Sequence, residues 1–557
     1  MKKKQMALIL AAILLTACGG GAASAGSEKG GQSESMAAES AAESSAAESM
    51  ASSGTESIEA SAAESVTETP APEPSWPLPD LDSIDVQIGQ KFRYDGDYGD
   101  NYVLYAQIEW GEARLSPDDE AKYPALAEAL GACSAEAEAH GIEAYDELSA
   151  SAREMAAETG GSPTFSDSNR YYVRRADSAV LSLLSYTTGY SGGAHGFETY
   201  LGLNFNPASG ERIRLTDLVS DEAGFISYVS EEIDRRYPDN QLSDPAEYMA
   251  GLADENIPFT IENNGVTLYF NAYTLGSYAE GAQIVFVPFA GNEKLFNPAY
   301  AGKAGWIIET VLGTPAYADF DGDGVPESFL VYGNMDENGY GTGYSFFIDG
   351  EKYDVVSDEL TTSGFSSFEP MLVHLSDGRD YVYLCEALDN DYQLLDCYQL
   401  DSGVPENVGF YPGGFRHPSD YEQGLLRCVM SDPEAFDVEV HGDILSTYSA
   451  YAACRVGAEG LPEPDLPWFT LNWPRTLTLK QDLSAEIVSD EGGEVLGEET
   501  IPAGSELVLK RSDNTSYADL MLADGRYIRV YVDFSEWPPM VKGVSAEDYF
   551  DGMMYAG

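Results

Sequence analysis

The sequence predicts a multidomain chain: an α+β N-terminal domain, then an antiparallel β-rich domain, then a small SH3-like β-barrel. Three observations lead there. A basic and apolar leader ends in a cysteine at position 18, and an Ala/Ser/Glu-rich tract with a proline-rich end follows to about Pro77. Beyond the tract, mixed helix and strand periods give way to short alternating runs separated by Gly, Asn and Asp.

The leader reads Lys2-Lys3-Lys4, an apolar run from Met6 to Leu15, then Leu15-Thr16-Ala17-Cys18. That order is a positive n-region, an h-region and a small-residue cleavage site, and the run is too short to span a bilayer of about 30 Å. The expectation is a lipoprotein: residues 1–17 are removed, and Cys18 carries fatty-acyl chains of the palmitate type. These hold the protein in the cell membrane on its extracytoplasmic face. Each buried methylene contributes about 0.8 kcal/mol, so two or three chains anchor it stably. Residues 18–77 repeat Ala-Ala-Glu-Ser variants and end with Pro70, Pro72, Pro74 and Pro77. With almost no large apolar side chains they cannot offset chain entropy, and they read as a disordered tether.

The rest divides into residues 78–300, 301–465 and 466–557. In the first segment Ile84 to Tyr94 and Tyr102 to Trp110 read as strands, and an Ala/Glu-rich helical stretch runs from Tyr123 to Glu158, broken near Gly141. Tyr171 to Tyr190 reads as two strands and Glu198 to Asn206 as another. An amphipathic helix spans Leu218 to Tyr237, and Phe259 to Ile261, Val266 to Phe270 and Ile284 to Phe289 complete the strands. In the second segment Tyr344 to Ile348, Glu369 to Leu375, Tyr381 to Glu386 and Leu394 to Leu400 read as antiparallel strands in one or two propeller-like blades. Phe410 to Leu461 is less patterned and reads as partly helical. In the third segment Leu477 to Leu479, Ala485 to Ser489, Glu506 to Arg511, Ala518 to Leu522 and Tyr527 to Val532 are the strands of the SH3-like barrel.

The chain carries 94 acidic against 30 basic residues, a formal net charge of -64. Such a surface repels nucleic-acid phosphates and anionic lipid, so neither is a partner. It suits a cationic partner or plain colloidal solubility. After Cys18 five cysteines remain, an odd number. Cys385 and Cys397 flank a hairpin and are the pair expected to bridge, with Cys428 and Cys454 a weaker pair. There is no CxxC, and His140, His195, His374, His417 and His441 have no metal-ligand spacing.

Three separated stretches carry a resemblance. They are Ser185-Tyr186-Thr187-Thr188-Gly189-Tyr190-Ser191-Gly192-Gly193-Ala194-His195-Gly196, then Asn204-Phe205-Asn206 to Leu215-Thr216-Asp217-Leu218, and Tyr273-Thr274-Leu275-Gly276-Ser277-Tyr278-Ala279-Glu280-Gly281. In this order they resemble an extracytoplasmic domain family. Its members include the lysozyme-sensing part of an anti-sigma factor and the non-catalytic accessory domain of some peptidoglycan deacetylases. The resemblance implies envelope biology and not a reaction. The deacetylase half would add an Asp-Asp metal motif with a His-x-x-x-His pair. The only Asp-Asp here, Asp118-Asp119, lies in the wrong region, and no such histidine pair exists.

Gly192, Gly193, His195 and Gly196 are the candidate binding residues, because glycines let the backbone adopt positive φ and approach a neighbour closely. His195 is then either a binding group or a satisfied histidine of a tight turn. Gly189-Tyr190-Ser191-Gly192-Gly193 matches the G-x-S-x-G spacing, but that elbow sits between a strand and a helix, and here another strand follows.

Asp319-Phe320-Asp321-Gly322-Asp323-Gly324-Val325-Pro326-Glu327 places carboxylates at relative positions 1, 3, 5 and 9, glycine at 6 and a backbone carbonyl, that of Val325, at 7. This is the front half of a calcium loop, with Asp319, Asp321, Asp323, Val325 and Glu327 as candidate ligands. It resembles the loops of FG-GAP and integrin-propeller-like repeats. Position 12 is Leu330, where an EF-hand has glutamate, and a strand follows. A metal-free Asp/Gly turn is the other reading.

Two function classes result. The favoured one is a surface-anchored lipoprotein that binds or senses envelope material, peptidoglycan included, or a cationic wall-lytic enzyme such as lysozyme. The other is a cell-wall hydrolase with an unrecognised carboxylate site. Binding leads because no nucleophile and base can be paired with a mechanism, so the chain is not expected to be an enzyme.

Overall fold

The N-terminal elements are built around one long hairpin and one long helix. In chain order they are β1 (Val86–Tyr98), β2 (Tyr102–Leu115), α1 (Pro117–Lys122), α2 (Pro124–Thr159), β3 (Phe165–Ala176), β4 (Leu181–Tyr190) and β5 (Phe197–Phe205). Then come α3 (Leu215–Leu218), α4 (Glu222–Arg236), α5 (Pro245–Met249), β6 (Phe259–Ile261), β7 (Gly265–Phe270) and β8 (Gln283–Pro288). The computed structural model describes residues 76–98, 102–161, 164–250, 257–337, 339–355, 364–388, 392–400, 403–418, 425–535 and 537–555. The leader, Cys18 and most of the tether lie outside these residues.

The middle strands are β9 (Trp306–Glu309), β10 (Ala316–Ala318), β11 (Glu327–Met335), β12 (Gly341–Ile348), β13 (Glu351–Val355), β14 (Ser367–His374), β15 (Asp380–Ala387), β16 (Gln393–Gln399) and β17 (Glu406–Tyr411). They are followed by β18 (Gly414–Phe415), β19 (Leu425–Cys428), β20 (Phe436–Gly442), β21 (Tyr448–Val456) and β22 (Pro462–Pro464). Then come β23 (Phe469–Leu479), β24 (Leu483–Val488), β25 (Val495–Ile501), β26 (Glu506–Ser512), β27 (Tyr517–Met521) and β28 (Tyr527–Tyr531), followed by two-residue strands at Met540–Val541, Val544–Ser545 and Phe550–Asp551 and a short helix, Ala546–Tyr549. The chain is thus β-rich and multidomain, with few helices and several antiparallel sheets.

β2 and β3 pair in parallel, with α1 and α2 making the crossover between them; the rest of the six-stranded sheet, ordered β19-β1-β2-β3-β4-β5, is antiparallel. On one face Leu126 and Leu130 of α2 pack with Ile88, Val173 and Leu183. On the other, Leu184 and Tyr200 meet Tyr269 and Ile284 of the β6-β7-β8 sheet. That small sheet is covered in turn by Phe225, Val229 and Ile233 of α4. Four layers result, and the three apolar positions of α4 recur at helical spacing because only that stripe is buried.

α2 is one unbroken helix of 36 residues, which corrects the expected break at Gly141. Glycine is there for packing: a Cβ at 141 would lie 2.5 Å from Cε3 of Trp110. Phe410 to Leu461 is also corrected, from partly helical to strands. Along β21 the inward positions are Tyr448, Ala450, Ala452 and Cys454, a real alternation hidden by small residues.

The middle strands form a four-stranded meander, β10-β11-β12-β13, and a five-stranded sheet, β17-β16-β15-β14-β9. The C-terminal strands join β20 and β21 in one sheet, ordered β18-β20-β21-β23-β26-β27-β28-β24-β25, which does not close into a barrel among the described residues. The expected bridges are absent: Cys385, Cys397, Cys428 and Cys454 are all free. Register gives the reason. Cys385 sits opposite Leu395 and Cys397 opposite Tyr383, and such a diagonal lies about 7–8 Å apart, beyond the usual reach of a disulfide. Cys428 pairs with Gln87 in one sheet while Cys454 faces Phe436 in another.

Buried ion pairs fasten these layers. Arg175 binds Asp177 at 2.6 Å and donates to the carbonyls of Tyr300 and Ala301. Arg174 binds Glu262 at 3.1 Å and the carbonyl of Glu309 at 2.6 Å. Removing one partner of such a pair costs about 3–5 kcal/mol, because the other charge stays buried.

Candidate functional site

The turn after β4 and the loop after β7 meet at the surface. Asn271, just after β7, ties its loop to β5: its Oδ1 accepts from the Tyr200 amide at 2.8 Å, and its Nδ2 donates to the Tyr200 carbonyl at 3.0 Å. The loop is then locked by Glu280, which accepts from the Ser277 amide at 2.5 Å and the Gln241 amide at 2.6 Å. Those backbone bonds hold the Glu280 carboxyl below its usual range.

On this frame the His195 imidazole stacks on the Tyr278 ring at 3.8 Å and 9°, and Tyr273 lies 5.9 Å from Tyr278. Tyr273 is 61% exposed and has φ +70°, a conformation unusual for a residue with a side chain. Its cost is of order 1–3 kcal/mol and is borne by the surrounding bonds. Gly192 at φ +86° is required twice over, since a Cβ there would also lie 2.5 Å from Phe165. Gly193 has no such neighbour, although its carbonyl accepts from Tyr190 Oη at 3.0 Å. Gly196 is buried at the start of β5.

Behind the surface, Glu198 accepts from the hydroxyls of Tyr186 at 3.2 Å and Tyr200 at 3.1 Å. Burial raises its carboxyl nonetheless, and Tyr200 stacks on Tyr269 at 5.2 Å. Beside the rings is a hollow of about 590 Å³ bordered by Gln241, Ser243 and Gly276. The structure therefore brings His195 together with Tyr273 and Tyr278, whose stretch lies far from His195 in sequence and by itself marks no site. Ser191 is exposed on a strand-turn-strand connection. The surface offers flat rings and hydroxyls for stacking and hydrogen bonding.

The second cluster is the turn between β10 and β11. The carboxylates of Asp319, Asp321, Asp323 and Glu327 lie within 4.8 Å of one another. Gly322 and Gly324 take φ +74° and +89°, and Asp319 accepts from the Gly324 amide at 2.9 Å. Glu327 accepts from the Phe320 amide at 2.7 Å, yet burial, with Asp321 and Asp319 beside it, pushes its carboxyl up to about 7. Asp319 is also raised, by burial first, and its Oδ1 is buried with no hydrogen-bond partner among the described residues. The Val325 side chain is exposed, between Asp323 and Glu327. An all-oxygen, mutually repelling donor set with one orphaned oxygen fits a hard cation.

A carboxylate pair is also present in the core. Glu386 on β15 and Asp396 on β16 are 0% and 1% exposed and lie among Tyr344, Tyr398 and Leu384. Tyr344 donates to Glu386, while Tyr398 at 2.7 Å and Asn407 at 2.8 Å donate to Asp396. Burial, with Asp396 nearby, raises Glu386 to about 8, and its Oε2 has no hydrogen-bond partner among the described residues.

Residues 216–290 match the family model DUF3298, described as a protein of unknown function. This DUF3298 domain includes α4, the β6-β7-β8 sheet and the Tyr273 to Glu280 loop. Two solved structures are similar. A DUF3298 family member from Bacteroides fragilis is 17% identical, with TM-score 0.29, covering 39% of this chain and 95% of that one. A DUF3298 family protein from Pseudomonas aeruginosa is 14% identical, with TM-score 0.26, covering 41% and 97%. No curated protein matches the chain. No helix of the described residues is long and apolar enough to cross a membrane.

Proposed function

We propose that the protein is a lipid-anchored extracytoplasmic receptor that binds envelope material or a cationic wall-lytic enzyme such as lysozyme, and is not an enzyme. One observation carries the reading: two motifs far apart in the chain, both part of the family resemblance, converge in a single aromatic surface of His195, Tyr273 and Tyr278. The formal charge of -64 supports a cationic partner, since it speeds encounter while the rings supply specificity. Cys18 supplies the anchor, the Asp319 loop holds calcium, and the C-terminal strands act as an SH3-like module for wall peptides.

The test compares lysozyme, an equally basic protein without wall-degrading activity and purified peptidoglycan, at near-physiological salt where screening acts over about 8 Å. Tyr273→Gly with Tyr278→Ala removes two rings while relaxing the strained backbone at 273. Binding to lysozyme or peptidoglycan that this double variant loses supports the reading. Equal binding of both basic proteins, disappearing with salt, would reduce the charge to a solubility device.

A further inference from the structure

The hollow beside the rings has two walls, the segment that follows α4 and the Tyr273 to Glu280 loop. Backbone bonds tie them together at two levels: the Gln241 amide donates to Glu280 Oε1 at 2.6 Å, and the Ser243 amide donates to the Leu275 carbonyl at 2.7 Å. Gly276 lets the loop close against its neighbours, since a Cβ there would lie 2.6 Å from Glu280 Oε2 and 2.7 Å from Leu242 Cδ2. The recess between the walls is about 590 Å³, within the usual size of small-molecule sites.

Tyr273 on its rim is a residue that folding alone does not explain. It holds φ +70°, which glycine would adopt without strain, and its ring is 61% exposed, so little packing is gained in return. Strain kept without such a return points to a role for the side chain itself. The side chains of Gln241, Ser243 and Thr274 border the same hollow, and none of them has a hydrogen-bond partner among the described residues. One aromatic ring and three free polar groups therefore share one recess.

The lining also restricts charge. It contains no basic residue, and its one acid, Glu280, has both oxygens engaged by the amides of Gln241 and Ser277. An anion would meet no counter-charge there and would be repelled by a chain of formal charge -64. A sugar ring has the two surfaces this recess calls for, a C–H face that packs on an aromatic ring and an edge of hydroxyls that bond amides and hydroxyls. We propose that the hollow binds a ring of a neutral oligosaccharide, its C–H face resting on Tyr273 and its hydroxyls bonding Gln241, Ser243 and Thr274. Two sources share that chemistry, a plain glucan and an amino-sugar glycan. The proposal rests on the reading that the aromatic surface is the binding face, and its test separates the two.

The experiment is saturation-transfer NMR on the full chain with cellotetraose, with chitotetraose and, as the anionic comparison, with tetragalacturonate. Lysozyme and peptidoglycan binding are measured on the same samples. Ligands of this kind bind with Kd of order 0.1–10 mM. Either neutral tetrasaccharide binding at least fivefold more tightly than tetragalacturonate supports the proposal, and which one does so names the source. Tyr273→Gly, which removes the ring and relaxes the backbone, should weaken that binding at least tenfold. Gln241→Ala with Thr274→Val, which keeps the ring and removes two polar groups, should weaken it at least fivefold. Circular dichroism shows whether each variant is folded, and either variant alone suffices if the other is not. A ratio below fivefold, or unchanged binding by a folded variant, would overturn the proposal. Lysozyme or peptidoglycan bound while neither neutral tetrasaccharide binds up to about 20 mM would overturn it and leave the reading of the surface standing; no binding of any of them would overturn both.

Discussion

Glu386 makes stability depend on pH in a way that one substitution can isolate. Its carboxyl is raised from 4.5 to about 8 by burial, with Asp396 nearby. Below pH 4.5 both folded and unfolded chains hold the proton. Between 4.5 and 8 only the folded chain does, so unfolding releases a proton and each rise of one pH unit favours unfolding by about 1.4 kcal/mol. At pH 7 the accumulated loss is about 3 kcal/mol, and it levels off above pH 8. Glu386→Gln keeps the shape and the acceptor for Tyr344 but cannot ionise. Wild type and variant are to be unfolded in denaturant at several pH values from 4.5 to 9, followed by tryptophan fluorescence. The variant should gain relative stability steadily with pH, by about 3 kcal/mol between pH 4.5 and 7. A difference independent of pH would refute the argument.

Four further outcomes are expected. Two glycines on α2 should respond oppositely to alanine: Gly131→Ala stabilises by up to about 1 kcal/mol, while Gly141→Ala, whose new Cβ meets Trp110 at 2.5 Å, destabilises by about 1–3 kcal/mol, both read from denaturation midpoints. Millimolar calcium should stabilise the protein by about 0.4–1.4 kcal/mol for an extracellular-type site, and Asp321→Ala with Asp323→Ala should remove the thermal shift; identical melting with calcium and with chelator would leave the loop a plain turn. Asp177→Ala should cost about 3–5 kcal/mol because Arg175 is left buried and unpaired, measured by denaturation. Cys18→Ala should release the protein or leave the precursor uncleaved, and unchanged lipid labelling would contradict the anchor.

Local signals were legible and distant ones were not. β6 starts and ends at the residues expected from sequence, and β7 and β8 do so within one, because short apolar runs bounded by turn residues leave little choice. The Asp319 cluster was legible for the same reason, since its four carboxylates fall between Asp319 and Glu327, on one turn and the first residue of the strand that leaves it. Gly141 misled because a helix glycine reads as a breaker when its partner, Trp110, is distant in sequence. The cysteine pair misled because a diagonal register differs from a facing one by two residues. β25 was missed because six of its seven residues are exposed, so it has no buried alternation to detect.

β19 has a consequence for how the chain reaches its native state. Four residues near position 427 complete the sheet edge at Gln87 to Gln90, and Ser83 bonds Asp432, 349 residues later. A chain emerging from its N-terminus exposes the edge of β1 long before its cover has been made. Contacts of such span slow the search for the native state, and an uncovered strand edge invites pairing with other chains. The N-terminal sheet therefore stays incomplete until most of the protein has emerged, and a fragment ending near residue 300 carries that open edge permanently.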